Sequence, residues 1–159
     1  MRELTSAALV RLASVALERI AFLMAEPAEN GAGPDRDAPP LPAATRFARI
    51  DYGGPERGTV VLAASDGCAR SVAAGLLGSD PLEVDPATDG QDALRELANM
   101  VAGSLICELG GQRCPFSIGL PSACGPEALP SQATAVATLD VEGERLEVHW
   151  LRQQAAQAA

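Results

Sequence analysis

Asp92, Glu96, Asn99 and Gly103 hold the spacing in this sequence with the most chemistry in it. On a helix turning about 100° per residue, the four fall within an arc of about 60° on one side, with Met100 flanking them. Leu94, Leu97, Ala98, Val101 and Leu105 form an apolar stripe on the opposite side, the pattern of a helix lying on a core. Two acids, a carboxamide and a glycine therefore line up on the solvent face. Glycine inside a helix costs about 0.5–1 kcal/mol relative to alanine, so Gly103 implies that something passes close to this helix. Acids and amides on an exposed helix face also serve simply as solvation. From the residues alone that reading stays open.

No other constellation carries chemistry. His149 alternates with Val148 and Trp150 in a strand and has no nucleophile near it in sequence. Gly53-Gly54 reads as a turn and Gly110-Gly111 as a helix end, so no glycine-rich phosphate loop follows a strand. Ser122 and Ser131 lie in loops, where no Ser-His-acid arrangement can be argued from spacing. Cys68, Cys107, Cys114 and Cys124 include no CxxC pair, and one histidine is too few for the common zinc sites. They read as reduced thiols of a cytoplasmic protein rather than as disulfides. Aromatic residues make up 3% of the chain and the net charge is −9, which argues against nucleic acid as a partner. The apolar run from Ala7 to Met24 is broken by Arg11, Glu18 and Arg19, so it is neither a membrane span nor a signal peptide.

Several elements must position the central helix. The chain of 159 residues is long enough for one self-standing core, and 47% hydrophobic residues is an ordinary globular content. We expect one domain over residues 1–152 and a frayed alanine- and glutamine-rich tail over 153–159. Residues 3–25 read as a first helix buried on most sides, with Leu9, Leu12, Ala13, Ala16, Ile20 and Leu23 inward and Pro27 ending it. Residues 26–42, rich in Pro and Gly, read as a mobile loop. Strands over 44–52 and 59–64 make a hairpin, and Ser65 caps a short helix, 66–77, that Gly78 terminates. An acidic connector, 79–88, leads to Thr88 and Gln91, spaced as a capping box for the central helix. That helix runs to about Leu109. A strand over 116–120 ends at Pro121, 122–131 is a loop, and 133–140 with 145–151 forms a last hairpin. Two hairpins make the sheet largely antiparallel, so the fold class is α+β, with the helices covering one face.

The signature Asp92-x3-Glu96-x2-Asn99-x3-Gly103 resembles that of the CheC/CheX/FliY family, phosphatases of the phosphorylated chemotaxis response regulator CheY. The likeness extends to the hairpin 44–64, the small helix with Ala74-Gly75-Leu76-Leu77-Gly78, the Gly119-Leu120-Pro121 strand end and the final hairpin, covering about residues 3–151. CheC-type members carry the Glu-x2-Asn pair on both long helices. Here Glu18 is followed at the third position by Ala21, so a single complete copy stands on the later helix, the CheX arrangement. Where the family usually has Asn after Gly103, this chain has Ser104, from which we expect a structural effect only.

The resemblance implies a phosphatase acting on the aspartyl phosphate of a CheY-type receiver. Asn99 would place the hydrolytic water and Glu96 would engage the lysine of the receiver's active site. An aspartyl phosphate is already activated, so placing water in line is most of what the catalyst must do. Asp92, Met100 and Gly103 would contact the partner. The chain would need no cofactor of its own, the magnesium ion belonging to the receiver. It would be cytoplasmic and homodimeric, without nucleic acid or membrane partners. The competing reading is a non-catalytic adaptor like the flagellar switch protein FliM, which shares the fold and lacks the active pair.

Overall fold

The centre of the fold is a strand, β3 (Arg57–Ser65), in which every residue after the first is buried. It pairs on one side with β2 (Thr45–Gly53) and on the other with β7 (Glu144–Gln153). Beyond β7 lie β6 (Ala135–Val141) and then β1 (Ala25–Ala32), while β2 takes β4 (Ser117–Ile118) and β5 (Ser122–Cys124) on its outer edge. Every pairing is antiparallel, so the seven-stranded sheet of the described residues has the expected character. The computed structural model describes residues 3–32, 41–113 and 115–153.

Alternation along the strands sends Ala48, Ile50, Tyr52, Val60, Leu62, Leu146, Val148 and Trp150 to one face, where they share a core with three helices. These are α1 (Ser6–Ala21), α2 (Asp66–Leu77) and α3 (Gln91–Gly110). The stripe read from the sequence of α3 is the side that packs: Leu94, Leu97, Ala98, Val101 and Leu105 are all fully buried. The small helix behaves as expected too. Ser65 Oγ accepts from the Cys68 amide at 3.1 Å, and Gly78 closes α2 at φ 65°. Gly75 is where α2 meets α1: a Cβ there would stand 2.2 Å from the Ala21 carbonyl oxygen. No helix of the described residues is long and apolar enough to cross a membrane.

Local expectations fail where tertiary pairing decides. Residues 26–32 are not loop: with Ala25 they form β1, which pairs with β6 through Ala25↔Val141, Glu26↔Asp140 and Pro27↔Leu139. Proline is compatible with an edge strand, which leaves one side of its backbone unpaired. The rest of the expected loop, 33–40, lies outside the described residues. The first helix stops at Ala21, with Phe22 in the left-handed region (φ 57°), before Pro27 is reached. Its outer side is broader than read, since Arg11, Val15, Glu18 and Arg19 are all exposed. Ser122–Cys124, read as loop, pairs with β2, and Gln153, read as tail, pairs with Arg57; residues 154–159 lie outside the description.

The face of the sheet away from the helices is not open either. Val61 and Ala63 are fully buried there and Glu147 is 6% exposed. Arg145 stands 3.3 Å from Glu147 Oε1, and His149 Nε2 is 3.7 Å from the same oxygen. Burial alone would push the Glu147 carboxyl up, but contact with His149 and the charge of Arg145 outweigh it and hold the group below its usual 4.5. A carboxyl with a lowered folded pKa stabilises above the unfolded value and loses that contribution as pH falls through the folded one. Glu147→Gln is expected to cost about 1–3 kcal/mol at neutral pH, as for a buried charged hydrogen-bonding group left without its partner. In urea titrations the gap to wild type should narrow as pH drops below 4.5.

Candidate functional site

How α3 begins sets the direction of the face it presents. Asp85 accepts from the Ala87 amide at 2.8 Å, and Asp89 accepts from the Asp85 amide at 3.2 Å. That reciprocal pair closes a single widened turn, Pro86–Gly90, which feeds into the helix. The capping box expected between Thr88 and Gln91 does not form, because Gln91 is needed elsewhere: its Nε2 donates to the Phe47 carbonyl at 2.9 Å and ties α3 to β2. The other end is held by Gly110, whose missing side chain leaves room for Pro115 Cδ at 2.9 Å from where a Cβ would sit.

Between those anchors Glu96 is exposed, while Asn99, Met100 and Gly103 are half-buried. No described residue hydrogen-bonds or ion-pairs with the side chain of Glu96 or Asn99. Asp92 is different, since Arg95 one turn on forms an ion pair with it. Two depressions meet at the Glu96–Asn99 pair. A notch of about 280 Å³ between α2 and α3 is lined by Glu96, Asp89, Asp92, Ala93, Ala73, Leu76 and Leu77. An open groove of about 1100 Å³ on the other side is lined by Asn99, Met100, Gly103, Ser104, Cys107, Leu12 and Ile118, among others. Each member of the pair thus borders its own depression.

The structure brings together on one face all five residues singled out in the sequence, Asp92, Glu96, Asn99, Met100 and Gly103. Two further walls went unread. Leu12 comes from α1 and Ile118 from β4, and no spacing within α3 points to either. Ser104, expected to act only structurally, lines the groove as well. Cys68 is buried, and burial with the nearby Glu144 charge pushes its thiol up to about 12, so it takes no part in surface chemistry. Cys114 lies outside the described residues. Among the described residues no group of three His, Cys, Asp or Glu is placed to hold a metal ion.

The antiparallel sheet of the described residues, covered on one face by helices, has the CheC/CheX class of fold. The family model described as chemotaxis phosphatase CheX matches residues 46–138, and the chain belongs to that family. A CheX chemotaxis protein from Vibrio vulnificus superposes with a TM-score of 0.70 at 15% identity, over 91% of this chain and 96% of that one. One from Desulfovibrio desulfuricans gives 0.66 at 17% identity over 91% and 96%. A Borrelia burgdorferi CheX, solved as a CheX–CheY–BeF3–Mg complex, gives 0.65 at 15% identity over 96% and 100%. At such identities the likeness establishes the fold. No curated protein matches the chain.

Gly103 separates packing from function. A Cβ at this position would meet no atom within 4 Å. Gly103→Ala is therefore expected to stabilise the isolated protein by about 0.5–1 kcal/mol through helix propensity alone, read as a raised midpoint in urea unfolding.

Proposed function

We propose that this protein dephosphorylates a CheY-type receiver domain by inserting Glu96 and Asn99 into the receiver's active site. The observation that carries the reading is the unengaged pair. A carboxylate and a carboxamide stand on the outer face of a helix anchored at both ends, with no partner among the described residues. Membership in a family of chemotaxis phosphatases supplies the reaction class, and the Borrelia burgdorferi relative has been solved with CheY.

The chemistry asks little of the catalyst. A water attacks the phosphorus of the aspartyl phosphate in line with the acyl oxygen, the P–O bond breaks, and the aspartate leaves as carboxylate with inorganic phosphate. Asn99 holds that water through its amide without placing negative charge against the phosphoryl oxygens. Glu96 pairs with the receiver's active-site lysine and fixes how deeply α3 enters. The magnesium ion in this reading is the receiver's. Asp92, already paired with Arg95, contributes a rim contact. Gly103 lets the receiver approach the helix backbone where a side chain would intrude. Pairing of sheets into a homodimer belongs to the same reading, since β1 ends the strand order and carries no further strand among the described residues.

The test is loss of phosphate from a phosphorylated CheY-type receiver, with wild type, Glu96→Ala and Asn99→Ala compared at equal concentration. Wild type should accelerate the loss, and both variants should fall to the receiver's own rate. Gly103→Ala should be slower than wild type although its fold is more stable. Binding without acceleration by wild type would instead identify a non-catalytic adaptor.

A further inference from the structure

We propose that the groove between α3 and β4 selects the receiver, and that it takes an uncharged, partly apolar patch lying beside that domain's phosphorylation site. The inference rests on the reading of Glu96 and Asn99 given above. Asn99 is itself part of the groove lining, so a domain whose phosphoryl group reaches Asn99 must lie over the groove. The depression is open along its length and measures about 1100 Å³, which suits the surface of a protein rather than one enclosed small molecule.

Its chemistry names the complement. Leu12, Met100 and Ile118 supply apolar walls, and Gly103 leaves empty space above the helix. Of the lining residues only Glu108 is charged, and its carboxylate accepts from Arg11 at 2.9 Å, so the groove presents no unbalanced charge. Ile118 is 37% exposed, so the groove wall it forms offers apolar surface to a partner. On the far side of the pair the notch has mostly apolar walls, Ala73, Leu76, Leu77 and Ala93, and it carries the carboxylates of Asp89, Glu96 and the paired Asp92. The two sides of the pair therefore differ in charge. A receiver that sets its basic lysine against Glu96 on the notch side lays an uncharged, partly apolar patch over the groove, and the charge difference favours that orientation.

Ile118→Ser tests this without touching the catalytic pair, and its partial exposure makes the fold tolerant of the change. Leu82→Ser, at a position 84% exposed and outside the groove lining, is the control. Binding of a phosphorylated CheY-type receiver would be measured by calorimetry in the Asn99→Ala background, and turnover in the otherwise wild-type chain. Ile118→Ser should raise Kd and KM by about tenfold or more, as for an apolar anchor at an interface, with kcat kept and Leu82→Ser silent. Unchanged Kd and KM would overturn the proposal while leaving the phosphatase reading intact. Weaker binding in a protein whose wild type shows no turnover would uphold the groove and sink the phosphatase. A sedimentation shift caused by Ile118→Ser would mean that the groove seats a second copy of this chain, which also overturns it, and no binding by wild type would overturn both readings.

Discussion

Everything at this site depends on α3 being unable to rotate or slide. Nine of its 20 residues are buried, Leu94, Leu97 and Leu105 completely. Burying one leucine contributes about 1.5–3 kcal/mol, so any rotation that turned Glu96 inward would forfeit several such contributions and bury a carboxylate as well. The Gln91–Phe47 hydrogen bond fixes the helix at one end, and the close approach of Pro115 and Phe116 to Gly110 fixes it at the other. The proposed insertion of Glu96 and Asn99 into a receiver would gain from such a base, because freedom already lost need not be lost on binding.

The residues that the sequence revealed and those that it hid differ in one physical respect. Glu96, Asn99 and Gly103 share a single helix, so their common face follows from a fixed angle per residue. The apolar stripe of α3 was legible for the same reason, as were the Ser65 cap and the Gly78 stop of α2, which are local hydrogen-bonding and backbone effects. β1 was not legible: Pro27 and the run toward Gly31 are turn formers by local preference, and only the edge of β6 makes a strand of them. Ser122–Cys124 is strand for a similar reason, its partner β2 lying far back in the chain. The capping box failed because Gln91 found a better acceptor across the core, a long-range competition that no window around Thr88 contains.

Two glycines show how the same residue type can answer to different masters. Gly75 is required from within, because the Ala21 backbone occupies the space a Cβ would need. Gly103 has open space around it, so nothing inside the fold accounts for accepting the helix penalty there. Sequence alone cannot separate the two cases, since both glycines interrupt helices. Packing can: it accounts for Gly75 and places no demand on Gly103.

The far wall of the groove has its own support, and it is polar. Tyr52 hydroxyl donates to Glu56 Oε1 at 3.2 Å and accepts from Trp150 Nε1 at 2.9 Å, while Arg152 Nε meets Glu56 Oε2 at 3.0 Å. Burial first, and then the Glu56 charge, raise the Tyr52 hydroxyl to about 12, so it remains a donor across the physiological range. The Tyr52 ring meets Phe116 edge-on at 5.8 Å, and Tyr52 is the register partner of Ile118. A two-residue strand such as β4 has too few backbone hydrogen bonds to hold a groove wall by itself. Its position is inherited from Tyr52, whose own ring orientation is fixed by a buried, fully paired network. The Glu96–Asn99 pair and the wall opposite it are therefore set by independent means, α3 by apolar burial and β4 by the Tyr52 cluster, and the width of the groove is the difference between the two.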